Sequence, residues 1–280
     1  MILYKYTTRN AIRKIVQSAS LLVRPINEFN DPFESVPAAN DETPFLVADN
    51  VLKQSEALRR MANDPELNPQ RLTAPQLRLW MDKPENMEKV SRILVRRSGV
   101  KPLEFAVTLQ NVFSQSFGLV CLTANPSNLL MWSHYAEHHF GYVLAINASL
   151  WEPGAVDKVT YSDVRVPFLG REPKEEDAHR LVTTKASDWT YEEEYRILCK
   201  AVSWQVVDGR KQEFLALNPR QILWICAGVR TAVEDVESLR VVLHSSAFSD
   251  VPVYQALLHP MRFRIDLPVE CSEIIRKVPS

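Results

Sequence analysis

The sequence predicts an α+β fold, and three observations carry that prediction. Short apolar runs of strand character are interspersed with amphipathic stretches, without the regular period of a doubly wound parallel sheet. From about Pro44 to Gln115 the character changes to Leu, Glu, Arg, Lys and Asn at helical spacing. The seven glycines of the 280 residues lie too far apart to form a G-x-G-x-x-G or G-x-x-x-x-G-K-[ST] loop. Those loops need paired glycines so that backbone can approach phosphate closely, which excludes a Rossmann dehydrogenase and a P-loop NTPase. The chain is read as a single α+β domain, 1–280, with a helical insertion at 44–115.

Each element has its own signal. Ile2–Tyr6 reads as a strand, and Thr7 or Thr8 can cap a helix over Ala11–Ser18 whose apolar face is Ile12, Ile15 and Val16. Leu21–Arg24 is a second strand, stopped by Pro25, which has no N–H to give a ladder. Within the insertion the spacing predicts helices over Val51–Met61, Ala74–Met81, Glu85–Arg97 and Pro102–Phe113. Beyond it, strands are predicted at Gly118–Thr123, Gly141–Asn147, Lys158–Tyr161, Glu194–Ala201, Gln221–Ala227 and Pro252–Ala256. Helices are predicted at Ser127–His138, Glu175–Thr184 and Ala232–Leu243.

Composition narrows the function classes. With 46% apolar and 24% charged residues and a net charge of −1, the chain has ordinary globular character and no bulk attraction to nucleic acid or an anionic membrane. Its four cysteines contain no C-x-x-C pair and are too scattered for a disulfide framework, so free thiols are expected. No leader pattern and no spanning apolar run is seen, so a cytoplasmic protein with no membrane partner is expected.

Three clusters carry candidate chemistry. In Asn128–Gly141, His134-x-x-Glu137-His138 matches the H-x-x-E-H zinc pattern if one helix presents both imidazoles on one face. A zinc hydrolase also needs a third ligand, and Glu192, Glu193 and Glu194 are equally placed to supply it. The second cluster runs from Lys185 to Ile197. Alternation along a strand puts Glu192, Glu194 and Arg196 on one side, facing a cleft or solvent if Ile197 faces the core. The third, Asn30-Asp31-Pro32-Phe33-Glu34, has turn composition.

Taken together, these clusters resemble the bacterial family catalogued as domain of unknown function 2971. The resemblance rests on Leu3-Tyr4-Lys5-Tyr6, Phe29–Glu34, Leu130–Ala136 with His139 and Gly141, Val159-x-Tyr161, Lys185, and Trp189-x-Tyr191-Glu192-x-Glu194-Tyr195-Arg196. It spans both ends of the chain and is weakest over the insertion. His138 is outside the recurring pattern, which weakens the zinc reading.

At fold level the layout is similar to an ADP-ribosyltransferase, which implies a mixed, mostly antiparallel split sheet that binds NAD without a glycine-rich loop. By that resemblance Glu194, or Glu192, is the carboxylate that stabilises the ribose cation as nicotinamide leaves, with His134 and Tyr135 beside it. Tyr135 or Trp132 would stack on nicotinamide; Lys5, Arg9 or Arg24 would meet the pyrophosphate; Tyr6 and Asn30 would line the site. Lys5 stands where such folds carry Arg or His, and Leu122-Thr123-Ala124 is the nearest approach to their Ser-Thr-Ser. The implied function is an ADP-ribosyltransferase or NAD glycohydrolase, a toxin or antiphage effector with a macromolecular acceptor and no metal. The alternative is a non-enzymatic sensor or interaction domain, and a zinc hydrolase is the lesser one.

Overall fold

A computed structural model describes residues 1–39, 55–99, 101–115, 117–167, 175–200, 205–207 and 210–278. The chain forms two compact units, one of Met1–Asp31, Ser114–Asp163 and Lys185–Ser280, the other of Pro32–Phe113 and Val164–Thr184. It is an α+β protein built around a mostly antiparallel open sheet, of ten strands among the described residues.

In the first unit, β1 (Ile2–Thr7) leads into α1 (Arg9–Ser18), and Thr8 caps that helix by accepting from the Ala11 N–H. Ile12, Ile15 and Val16 are its buried stripe, and the helix ends where Ala19 turns left-handed at φ 48°. β2 (Ser20–Pro25) ends on the proline as expected. Among the described residues, four helices belonging mainly to the second unit intervene: α2 (Ser55–Ala62), α3 (Ala74–Met81), α4 (Pro84–Ser98) and α5 (Pro102–Ser114). They match the helical spacing of the insertion; Val51–Gln54, at the start of its first predicted helix, lie outside the described residues.

The sheet resumes with β3 (Phe117–Thr123), followed by α6 (Leu129–Tyr135), β4 (Tyr142–Asn147) and the short β5 (Asp157–Lys158) and β6 (Thr160–Ser162). After α7 (Glu175–Val182) come β7 (Thr184–Ala186), β8 (Glu194–Lys200), β9 (Gln205–Val207) and β10 (Arg210–Ala216). Then follow β11 (Ile222–Ala227), α8 (Val233–His244), β12 (Val253–Gln255), β13 (Leu257–Leu258), β14 (Ile265–Asp266) and α9 (Val269–Arg276).

The strand order is β12-β11-β4-β1-β3-β2-β10-β9, with β8 and then β5 branching from β3. Among the described residues, only β11–β12 is a parallel pair in this sheet. One edge of β3 is taken by β8 along its whole length, from Phe117↔Lys200 to Thr123↔Glu194. Its other edge is shared: β1 joins at Tyr4↔Thr123 and β2 at Arg24↔Leu119 and Pro25↔Gly118. Between those joints the Lys5 ammonium donates to the Cys121 carbonyl at 2.8 Å, supplying a donor to β3 at the fork.

Strand alternation divides the apolar residues into two cores, one on each face. Leu3, Leu144, Ile146 and Ile225 pack with α1 and α8, whereas Tyr4, Val143, Ala145 and Cys226 pack with Trp132 of α6 and Cys271 of α9. β4 is therefore buried on both faces, which is why Tyr142–Ile146 reads as an unbroken apolar run.

In the second unit, Leu58, Leu77, Met81 and Val90 form a separate core across α2, α3 and α4. The Asn68 amide ties its loops by donating to the Ala62 and Leu72 carbonyls, and Gln110 donates to the Glu34 carbonyl at 2.6 Å.

The helix predicted over Ser127–His138 is shorter than expected, Leu129–Tyr135. Glu137, His138 and His139 all take left-handed φ, at 51°, 54° and 73°. Their turn is pinned from outside: Gly228 donates to the Gly141 carbonyl and Arg230 to the His139 carbonyl. His134 and His138 thus do not share a helix face, and the H-x-x-E-H reading loses its basis. The antiparallel pair β9–β10 and the segments beyond Ala256 were not predicted, since their strands are short or carry alternating polar residues. No helix among the described residues is long and apolar enough to cross a membrane.

Candidate functional site

A 3-10 turn over Ser187–Glu192 follows β7, and Glu193 then takes a left-handed φ of 44°. That kink turns Glu193 outward, where it accepts from the Asn125 amide at 2.8 Å, and leaves Glu192 and Glu194 facing inward. Lys185, arriving from β7, lies between them. Its Nζ donates to Glu192 Oε2 at 2.5 Å and to Glu194 Oε2 at 3.1 Å. Arg196 grips Glu194 in a fork, Nε to Oε1 and Nη2 to Oε2, each at 3.0 Å. The Tyr161 hydroxyl accepts from the Glu194 backbone N–H at 2.8 Å.

All four charged groups are buried: Arg196 is 1% exposed, Glu192 3%, Glu194 4% and Lys185 6%. Burying such an ion alone costs several kcal/mol, and good pairing geometry offsets it. Burial by itself raises the Glu194 carboxyl, but the Arg196 and Lys185 charges outweigh it and bring its pKa down to about 2. For Glu192 burial wins and the pKa is raised, with Lys185 and the Tyr135 hydroxyl opposing. Burial also lowers the Lys5 ammonium and raises the Cys121 thiol next to this cluster.

One branch leads outward. The Tyr135 hydroxyl donates to Glu192 Oε1 at 2.6 Å and accepts from the exposed Asn30 amide at 3.3 Å. Asn128 positions Tyr135 by capping α6: its Oδ1 accepts from the Leu130 and Met131 N–H groups, while its Nδ2 donates to the Tyr191 carbonyl. His134 Nδ1 lies 3.1 Å from the Tyr191 hydroxyl, and the Lys185 ammonium sits 4.8 Å over the Trp189 ring. Burial, followed by the Glu192 charge, pushes the Tyr135 phenol well above its usual range.

Among the sequence-predicted residues, Asn30, Tyr135, Glu192 and Glu194 are joined through Lys185 in one hydrogen-bonded chain, with the exposed His134 beside it. Glu194 is not at an aqueous edge, because β8 is flanked by β3 and β5 and its carboxylate is enclosed by cations. Trp132 is fully buried, edge-on to Tyr6 at 5.3 Å, with its indole N–H on the Pro126 carbonyl; its ring is closed to a ligand. Tyr6 is equally committed, donating to the Asn125 carbonyl. Arg9 pairs with Glu137 and Asp235, and Arg24 lies exposed on β2. Lys5 contacts the Cys121 carbonyl, so its charge is turned into the fork.

Lys185 and Arg196, the cations that organise the cluster, were not among the predicted site residues. The signal that could have found them is two acids and two bases within a few residues of an apolar strand. No group of three or more His, Cys, Asp and Glu able to hold a metal ion occurs among the described residues. Comparison of the chain with protein-family models, with curated proteins and with solved structures finds no match.

Proposed function

We propose that this chain cleaves the bond between nicotinamide and ribose of NAD, as a glycohydrolase or an ADP-ribosyltransferase, where Asn30 and Tyr135 cover Glu192. The observation that carries the reading is the polar chain from the exposed Asn30 amide through the Tyr135 hydroxyl to the buried Glu192 carboxylate and Lys185. Clusters of shifted acids and phenols next to solvent are characteristic of catalytic sites. The resemblance set out above supplies the substrate.

In this scheme Asn30 and Tyr135 meet the ribose. Glu192 acts through Tyr135: its negative charge draws on the phenol proton and favours the positive charge that grows as nicotinamide departs. Lys185 holds Glu192 in place. Glu194, the other carboxylate that the resemblance offers, is in this scheme the counter-ion that keeps Lys185 and Arg196 buried. The four free thiols fit a reducing cytoplasm, where a toxin or antiphage effector modifying a macromolecular acceptor would work.

The test is nicotinamide release from NAD by the purified chain, with and without candidate acceptors. Tyr135→Phe and Glu192→Gln are each expected to lower turnover ~100- to 1,000-fold, the usual loss for one preorganised electrostatic partner. Equal release by wild type and both variants would remove the site from the reaction.

A second reading is a non-enzymatic sensor or interaction domain. It is favoured by one feature: all four oxygens of Glu192 and Glu194 already have partners within the protein. No release, together with no NAD binding by calorimetry, would decide for it.

A further inference from the structure

The segment from Leu257 to Asp266 forms a two-stranded sheet of its own, β13 against β14, with Leu257 opposite Asp266 and Leu258 opposite Ile265. Successive side chains of a strand point to opposite faces, so in a strand packed on a core at least one of any two is covered. Here neither is, for Leu257 is 60% exposed and Leu258 70%. The hairpin is rooted by Ala256 and Ile265, both buried in the second core of the sheet. Its tip carries Met261 and Phe263, 87% and 102% exposed, alongside Arg262 and Arg264.

The tip is held in shape. The His259 N–H donates to the Arg264 carbonyl at 3.0 Å, the Met261 N–H to His259 Nδ1 at 3.0 Å, and the Arg264 N–H to the Arg262 carbonyl at 2.8 Å. A fixed loop that displays four large apolar side chains to water carries a standing cost, which an apolar environment would remove. From Leu257 to Ile265 there is no acidic residue; the first, Asp266, is engaged by Arg264 at 2.7 Å. The tip is therefore apolar and basic on a chain whose net charge is −1.

We propose that this hairpin tip docks on an anionic lipid bilayer, with Met261 and Phe263 entering the headgroup boundary and Arg262 meeting lipid phosphate. The charge argues for that occupant. A second copy of the chain meeting the tip about a two-fold axis would set arginine against arginine. A nucleic acid would be read by several stacking rings in a basic groove, whereas three of these four exposed apolar side chains are aliphatic. An anionic bilayer satisfies both properties, since burial of apolar side chains and attraction of basic ones act together there.

The experiment is co-sedimentation of the full chain with phosphatidylglycerol–phosphatidylcholine vesicles and with pure phosphatidylcholine vesicles, at low and at high salt. Binding is expected to the anionic vesicles, to weaken with salt, and to be weak on neutral ones. The double variant Met261→Ser, Phe263→Ser is expected to bind at least about tenfold less, and Arg262→Gln about fivefold less. These side chains are exposed, so the variants should melt at the wild-type temperature, which separates lost docking from lost folding. Absence of co-sedimentation at low salt would overturn the proposal, as would wild-type binding by the double serine variant. Binding to oligo-dT without vesicle binding would overturn it in favour of nucleic acid. A wild-type dimer that the serine variant dissolves, again without vesicle binding, would overturn it in favour of self-association.

Discussion

Glu194 is worth more to the fold than its place beside the proposed site suggests, because its carboxylate answers two buried cations at once. Replacing it with Gln leaves Arg196 and Lys185 buried with Glu192 as the remaining carboxylate of the cluster. Breaking a buried pair by removing one partner costs about 3–5 kcal/mol, so Glu194→Gln should lose that much in a denaturant titration at neutral pH. The pH dependence has a definite sign. The Glu194 pKa falls from an ordinary 4.5 to about 2 on folding, so its stabilisation is present above 4.5 and is lost as pH falls through 2. Glu192 works the other way: its raised pKa makes its ionisation cost stability as pH rises above 4.5. Between pH 4.5 and 2, wild type should lose stability more steeply than Glu194→Gln; parallel curves measured by denaturant midpoint would contradict the pairing. Strand alternation was enough to place Glu192 and Glu194 on the same side. Their burial was not legible, because it depends on the fold bringing Lys185 of β7 back between the two carboxylates, which strand alternation alone does not show.

The turn after α6 shows where an element's own sequence loses to its surroundings. Ala136-Glu137-His138 contains nothing that must end a helix, and extending the helix to His138 follows from local propensity alone. What ends it is the meeting of this turn with β1 and β11. A Cβ added to Gly141 would stand 2.2 Å from the Thr7 carbonyl oxygen, and one on Gly228 2.1 Å from the His139 carbonyl oxygen. Both obstacles are backbone, so neither can swing aside. Gly141→Ala and Gly228→Ala should each destabilise by about 3 kcal/mol or more, or fail to accumulate as folded protein. An alanine variant that unfolds at the wild-type midpoint would show that the turn moves freely. At the opposite extreme, Thr8→Ala removes a single cap bond from α1 and should cost about 1 kcal/mol. α1 was legible at its start because its apolar stripe and its cap, Thr7 or Thr8, are both local; its end at the left-handed Ala19 carries no such signal.

Over the whole molecule, what could be foreseen was the class and the sheet's main strands, and what could not was how the sheet is finished. The double burial of β4 was written in its unbroken apolar run and β12 falls within the strand expected at Pro252–Ala256, whereas β13 and β14 are too short to leave a period. The second face of the sheet depends on α9, from which the Cys271 carbonyl accepts the Trp224 indole N–H at 3.1 Å. A chain cut after Pro268 should show red-shifted tryptophan emission and a lower melting temperature; unchanged emission would mean that α9 is not the cover. The register of β1 has a further, kinetic consequence. Ile2 pairs with Asn147 and Thr7 with Tyr142, while β4 in turn pairs with Ile222–Ala227 of β11. The middle of the sheet is thus assembled from residues far apart along the chain, and the entropy of closing those loops must be met before any of the pairings gives a return. Refolding monitored by stopped-flow fluorescence should therefore take milliseconds to seconds, and until β4 arrives Leu3, Tyr4 and Tyr6 of β1 stand open to the first apolar strand they encounter.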